Sequence, residues 1–500
     1  MMPMTTLEVA EELGGRLVAA PGSAPGSPRP TVTGAVSDSR QAGAGTLFVA
    51  IRSERVDGHD FVAGAAQAGA PAAIVEREVP GAALDQIVVG DSVKALGDLA
   101  RCNLRRRRAA DGPFTVVGIT GSVGKTTTKD LLRAMLAELG ETVAPVGSFN
   151  NEIGMPLTAL KVGPSTRFLV AEMGANHVGE IAHLTTIAPP DIAVVLKVGV
   201  AHLGEFGSVE RIAQAKSELV RGLVPHGACV LNADDPHVAA MAAIAPGDVE
   251  WFGRGVGIGD GVERVTALGA SDVRHDELDH PSFTLTKGDE SVDVHLAICG
   301  DHNVMNALAA ATVADRLGLP LDRIAAVLGD QRHISPHRMA VSEVERDGVR
   351  FTLIDDSFNA NPDSMRAGLD GLAAWGASRA TQPTRVGVLG AMLELGDDAR
   401  RLHRSMGEYA VSLGLDAVIA VGSRADGQLD ALAGDIADGA ERAAHGRPVE
   451  VRLVHDVDEA DRAVLAIAAA HPGTTVLLKG SHASGLGALA VRWGSEGAAA

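Results

Sequence analysis

The sequence predicts an α/β protein of three domains built on mainly parallel sheets, and three observations carry that expectation. The chain has 500 residues, which at roughly 150 residues per domain is about three hydrophobic cores. Its 46% hydrophobic and 21% charged residues are those of a globular protein, not of a disordered, collagenous or coiled-coil one. Short apolar β-rich runs alternate with helical patterns along most of its length, as parallel strands covered by helices on both faces require.

Taken in order, residues 1–110 open with a helix-like stretch and the loop PGSAPGSPRP (21–30), followed by short strands alternating with alanine-rich helices. RCNLRRRR (101–108) reads as a solvated helix end beside a domain boundary. Residues 111–330 start with the strand FTVVGIT, a glycine turn and a helix over 125–139 that puts Leu131, Leu132, Met135, Leu136 and Leu139 on one face. Strands follow at 168–173 (FLVAEM), 192–198 (IAVVLKV) and 228–232 (ACVLN). The runs SFTLTKG and SVDVHLAI predict an antiparallel hairpin added to that sheet, before a helix near Asn303. LGDQRHISPHRM, polar and proline-containing, marks a hinge. Residues 331–500 then restart the alternation: VRFTLID, a helix from Pro362, RVGVLG, a helix over 398–413, DAVIAV, EVRLV, a helix over 456–470 and TTVLLKG.

The 63 acidic against 44 basic residues leave a net charge of −19, which argues against a nucleic-acid partner. Cys102, Cys229 and Cys299 are odd in number and widely spaced, so a disulfide framework is excluded and a reducing compartment expected. Glu8, Glu11 and Glu12 stand where a signal peptide needs a basic start and an apolar run. With no stretch of about 18 apolar residues there is no membrane span, and the expected location is cytoplasmic. Only eight of the 44 basic residues are lysines. An ammonium can lose its proton and a guanidinium in effect cannot, so the lysines that persist mark candidate positions for amine chemistry.

The strongest chemical signal is ITGSVGKTTT (119–128). The usual Walker spacing fails, because Ile119 stands where its first glycine would be, but Gly121-x-x-Gly124-Lys125-Thr126 keeps the physics. A glycine turn between strand and helix aims the backbone N–H groups of Gly121, Ser122, Val123, Gly124 and their neighbours at a phosphate; Lys125 adds charge, and Thr126, followed by Thr127, offers a hydroxyl to Mg²⁺. Glu172 ends the strand FLVAEM at the sheet edge where α/β ligand sites lie; it suits a metal ligand or a structural hydrogen bond. His202 follows IAVVLKV at a similar edge, where a plain loop histidine is the alternative. Lys216, in RIAQAKSEL, reads by itself as a surface lysine, and only the scarcity of lysine singles it out.

Several spaced blocks together resemble the Mur ligase family, and within it the MurF type: SDSR with GTLFVA and DGHDF, GITGSVGKTTTKD, SFNNEIGMPLT, AEMGANHVGEI, VAHLGEFGS followed by AKSE, LNADDP, HNVMNALAA, LIDDSFNANPDSM, LGAMLELG and LLKGS. The resemblance implies an N-terminal UDP-sugar-binding domain (1–110), a central ATPase domain (111–330) and a C-terminal Rossmann-like domain (331–500) that closes over the site. It implies ATP-dependent addition of D-alanyl-D-alanine to a UDP-N-acetylmuramoyl tripeptide through an acyl phosphate, with ADP released, in peptidoglycan precursor synthesis and so in cell-wall biogenesis, cell shape and division. Residue by residue, Lys125 and Thr126 match the phosphate and Mg²⁺ positions, and Glu172 and His202 the magnesium ligands. Lys216 matches the family lysine that CO₂ converts to a carbamate, an anionic group that holds a second Mg²⁺. Asn303, Asn306, Arg338 and Asp356 match residues at the nucleotide. Ser37, Asp38, Ser39 and Arg40 match the UDP-sugar end. Asn150, Asn151, Asn176, His177, Asn359 and Asn361 lie in blocks at the peptide and dipeptide end. A monomer is expected.

The chain departs from the family pattern at Val123 and Lys197, where asparagine is usual or common, and at Asp301, His337, Ala391 and His482, in place of arginine, glycine, aspartate and arginine. These departures motivate a second expectation, a paralogue joining a different amine to a carboxylate. A third, a nucleotide-binding switch without ligase activity, would not need Lys216.

Overall fold

The computed structural model describes the chain apart from residues 25, 54–55, 201–202, 255–266, 333–334, 377–381 and 497–500. Among the described residues the strands form three sheets of five, nine and six strands and a two-stranded ribbon. The first sheet runs Arg16–Val18, Asp85–Val88, Ala72–Val75, Thr46–Val49, Gly34–Val36, and only its first pair is antiparallel. Ahead of it lies the opening helix Thr6–Glu12. A capping box starts that helix: Thr5 accepts the Glu8 N–H, and the Glu8 carboxylate accepts the Thr5 N–H.

The central sheet runs in parallel from Thr142–Val143 through Phe168–Glu172, Thr115–Thr120, Ile192–Val195, Ala228–Asn232 and Val249–Gly253 to Ala267–His275. Pro281–Lys287 and Glu290–His295 extend it antiparallel, as the alternating runs predict. The strand expected over 192–198 stops at Val195 because Lys197 turns to the phosphate loop. Leu196 N–H goes to the Thr120 carbonyl (3.0 Å), and the Lys197 carbonyl accepts the Ser122 N–H (2.9 Å). The third sheet runs Ala340–Arg346, Val349–Asp356, Thr475–Lys479, Arg385–Gly390, Ala417–Val421, Glu450–Val454, with only the first pair antiparallel.

Three elements of this last region escape a pattern-based reading: Ala340–Arg346, the helix Leu486–Glu496 and the helix Gly427–Ala443. Gly434 and Gly439 weaken that last helix's intrinsic propensity, but packing requires glycine at Gly439. A Cβ on Gly439 would stand 2.1 Å from the Arg404 carbonyl, and one on Gly407, in the facing helix Ala399–Ser412, 2.0 Å from that of Ile436.

The arginine run is only in part a solvated helix end: Arg101, Arg105 and Arg108 are exposed, but Arg107 is not. The run closes the helix Ser92–Ala109, and Arg107 is buried, donating to the Thr166 and Pro113 carbonyls (both 2.9 Å). Arg108 binds Asp191 and the Pro189 carbonyl, while Arg105 and Arg106 reach back to Glu12 and Glu8. The run is a strut between the first and central sheets, satisfied by carbonyls and carboxylates that a one-dimensional charge pattern does not reveal. On the other face of this helix Leu99, Cys102 and Leu104 share one core with Met155, Ala159, Leu160 and Val162. The three cysteines are buried and unbridged. No helix among the described residues is long and apolar enough to cross a membrane.

Candidate active site

The strand Thr115–Thr120, buried along nearly its whole length, delivers the glycine turn to the start of the helix Lys125–Ala137. Gly124 caps the helix with φ +84°, and a Cβ there would lie 2.2 Å from Asn306 Oδ1. Glycine is therefore required both for the left-handed backbone and for the approach of the helix His302–Arg316. The free N–H groups and dipole of the Lys125–Ala137 helix point into the turn, a ready anion site. Lys125 Nζ folds back onto the Gly121 carbonyl (2.7 Å).

Over this turn, between the carboxyl ends of the central strands and the third sheet, lies a cavity of about 720 Å³, a volume typical of small-molecule sites. It brings together Ser122, Val123, Gly124, Lys125, Thr126, Thr127, Glu172, Asn303 and Asn306 from the central region with Arg338 and Asp356 from beyond the hinge. Asn150, Asn151, Asn176, Asn359 and Asn361 line it as well.

Thr126 is its focus. The hydroxyl donates to the buried Glu172 (3.0 Å) and accepts from Arg338 (2.8 Å), while Asn150 donates to the other Glu172 oxygen (2.8 Å). A hydroxyl and a carboxylate side by side beneath a phosphate loop suit Mg²⁺, a hard cation that takes few protein ligands beside phosphate and water oxygens. Arg338 lies on the Phe358 ring (4.4 Å), and its Nε is buried without a partner among the described residues, leaving a donor for an anion. Asp356 pairs with Lys479 (2.7 Å), whose ammonium also binds the Asn359 carbonyl (2.8 Å). His337 sits at φ +62° and its ring is tied to Asp355 (2.7 Å), which anchors the backbone beside Arg338 in a conformation that glycine adopts more readily.

Lys125 and His302 face the cavity, and the desolvating walls of the cleft lower the pKa of both. The carboxylate of Glu172 opposes the shift at Lys125 and the Arg338 charge adds to it. Lys216, on the helix Val209–Arg221, is buried and not a surface lysine. Burial first, and then the Lys125 charge, push it down to about 7, against the pull of Glu218 and Glu180. Its ammonium lies 5.8 Å from the centre of the Phe206 ring.

His177 and the segment Ser37–Arg40 stand apart from the cavity. His177 is exposed just outside it, bridging Glu180 (3.1 Å) and Glu205 (3.3 Å). Ser37, Asp38, Ser39 and Arg40 lie on the surface of the first sheet's region, where Asp38 caps a short turn and pairs with Arg40 (2.7 Å). Asn361 Oδ1 accepts the Ser364 N–H and caps the helix Pro362–Ala374, a helix-capping role in its own right. His202 lies outside the described residues. Sequence reasoning missed His302, Phe358 and Asp363 of the lining, and also Lys129, buried one turn beyond Lys125 with its ammonium on the Pro145 and Gly147 carbonyls. The scarcity of lysine was the available signal for Lys129.

Three family models match the chain: the Mur ligase family catalytic domain over residues 31–102, the Mur ligase middle domain over 119–314 and the Mur ligase glutamate ligase domain over 337–482. The chain is 44% identical to the UDP-N-acetylmuramoyl-tripeptide–D-alanyl-D-alanine ligase of Mycobacterium tuberculosis, over 98% of this chain and 97% of that one. A MurF crystal structure from Acinetobacter baumannii superposes with a TM-score of 0.80 at 30% identity, covering 99% of both chains. MurF from Thermotoga maritima, solved in complex with ADP, superposes with a TM-score of 0.72 at 29% identity, covering 91% of this chain and 95% of that one. The chain belongs to the Mur ligase family, and within it to the MurF type.

Proposed function

We propose that the protein is an ATP-dependent, ADP-forming ligase that joins D-alanyl-D-alanine to the terminal carboxylate of a UDP-N-acetylmuramoyl tripeptide. The observation that carries this is a single cavity in which a phosphate loop, the Thr126–Glu172 pair and Arg338 from beyond the hinge converge. In the reaction the tripeptide carboxylate attacks the γ-phosphorus of ATP, the bond to ADP breaks, and the dipeptide amine displaces phosphate from the resulting acyl phosphate. The loop N–H groups and Lys125 hold the phosphates, and Arg338 adds charge where it accumulates on the transferring group. Thr126 and Glu172 would hold Mg²⁺, which would supply positive charge against the phosphate oxygens. The Arg338–Thr126 contact ties the two sides of the cleft together, which supports a site where the acyl phosphate is shielded from water.

A buried amine whose pKa lies near 7 is substantially neutral at physiological pH, the form that adds CO₂. In our assignment Lys216, once carbamylated, would hold a second Mg²⁺. Residues 1–110, 111–330 and 331–500 are assigned as sugar-nucleotide, ATPase and closing domains of a cytoplasmic monomer, with Ser37–Arg40 and His177 meeting the two ends of the muramoyl substrate.

The test is product detection by mass with UDP-muramoyl tripeptide, ATP and a panel of amines. D-Ala-D-Ala should give the pentapeptide with one ADP and one phosphate per turnover. Ligation of a different amine in its place, or phosphate release at an undiminished rate with neither acceptor nor amine, would overturn the proposal.

A further inference from the structure

Lys197 enters the cavity from the segment that follows the strand Ile192–Val195 and belongs structurally to the phosphate loop. Its carbonyl accepts the Ser122 N–H (2.9 Å), and two residues on, the Gly199 N–H donates to Ser122 Oγ (2.9 Å). Its side chain lines the same cavity as Ser122, Val123 and Lys125. Across the cleft stands Asp363, in the first turn of the helix Pro362–Ala374, with one oxygen 4.0 Å from Lys197 Nζ and the other accepting the Val200 N–H (3.3 Å). A Cβ on Gly199 would lie 2.2 Å from that second oxygen and 3.4 Å from Ser122 Cβ, so the Asp363 carboxylate presses on the strand-side end of the loop.

This arrangement poses an electrostatic problem that Lys197 solves. A phosphate loop with its lysine is built to hold the β and γ phosphates. Lys125 sits at one side of the turn, bonded to the Gly121 carbonyl. On the other side a bare Asp363 would repel the terminal phosphate, and would do so most when an anionic acceptor carboxylate approaches the same phosphorus. The ammonium of Lys197 screens Asp363 and is a compact, strongly hydrated point charge on a flexible stem, able to swing to a more highly charged partner.

The geometry points to Lys197 as a second ammonium for the terminal phosphoryl group of ATP, parked on Asp363 of the closing region and transferred to the γ-phosphate when nucleotide binds. The assignment rests on the ligase reading above only in that ATP is the nucleotide. It makes Lys197 a discriminator between ATP and ADP, because ADP lacks the group it would hold.

The experiment is calorimetric titration of the full chain, with MgCl₂ and without tripeptide or amine, using ADP and the non-hydrolysable β,γ-imido analogue of ATP. Lys197→Gln should lower affinity for the analogue about tenfold, in line with the loss of one charge-assisted contact, and leave ADP affinity within about twofold. Lys197→Arg should restore most of the loss. Asp363→Asn, which removes the parking site, should bind the analogue as well as or better than the parent. Equal losses for ADP and analogue in Lys197→Gln, no loss for either, or an Asp363→Asn defect matching that of Lys197→Gln would each overturn the assignment; the last would make the pair a domain latch instead. The ligase reading fails separately: if the unaltered chain binds neither nucleotide, both fall, whereas parent-like binding in Lys197→Gln removes the Lys197 assignment alone.

Discussion

The depressed pKa of Lys216 makes a prediction that needs no substrate. An ordinary lysine has a pKa of 10.5, and burial, helped by the Lys125 charge, brings Lys216 to about 7. At pH 7 about half of Lys216 is then neutral, against roughly 0.03% for an exposed lysine. Because the folded pKa lies below the unfolded one, the unfolded chain binds more protons between the two values. Folding stability therefore rises with pH across that interval, by about 1.4 kcal/mol per unit, and below about pH 7 the full cost of some 5 kcal/mol is present. Lys216→Met keeps the length and apolar volume of the side chain and removes the charge. In metal-free, CO₂-depleted buffer the parent should gain thermal stability from pH 7 to 10 relative to this variant, while at pH 6 the variant should be the more stable protein. With eight lysines in the chain, ¹³Cε-lysine labelling lets the signal missing from Lys216→Met be followed directly, and its midpoint should fall near 7. A midpoint near 10.5, or parallel stability profiles for the two proteins, would refute the reasoning and with it the physical basis for carbamate formation at this site.

Gly124→Ala should abolish ADP binding in calorimetry: the left-handed backbone alone costs about 1–2 kcal/mol for alanine, and the new Cβ meets Asn306 at 2.2 Å. Glu172→Gln should lower turnover about 100-fold and weaken the enhancement of nucleotide binding by Mg²⁺, while leaving the melting temperature close to that of the parent. Arg107→Met should destabilise the chain by about 2–4 kcal/mol through the carbonyls it leaves unpaired, read as a melting shift of several degrees; a shift below one degree would contradict the strut. Asn361→Asp preserves the helix cap, which is worth about 1 kcal/mol. It should leave the KM for the dipeptide unchanged, and a tenfold rise would assign the side chain to the substrate instead.

Local periodicity and short motifs made much of this protein legible. The strand–turn–helix of the phosphate loop follows from the β-rich run FTVVGIT, two turn glycines and an amphipathic helix, all within 25 residues or so of one another, and such neighbours interact whatever the rest of the chain does. The spaced blocks carried the family. The helix Gly427–Ala443 was not legible, because Gly439 serves a partner helix on the other side of a strand in the chain, and propensity alone counts it as a breaker.

What the sequence by itself determined is the set of chemical groups and the local elements that present them: Lys125 and Thr126 at a helix start, Glu172 at a strand end, Lys216 on a helix. What only the tertiary structure decided is which of these share an environment. Arg338 meets Thr126 at 2.8 Å across more than 200 residues of chain, Arg107 becomes a strut because distant carbonyls receive it, and Lys216 becomes acidic because burial takes its ammonium out of water and the Lys125 charge repels it. Burial and long-range charge set pKa values, partners and the meeting of domains, and these are properties of packing that no window of sequence contains.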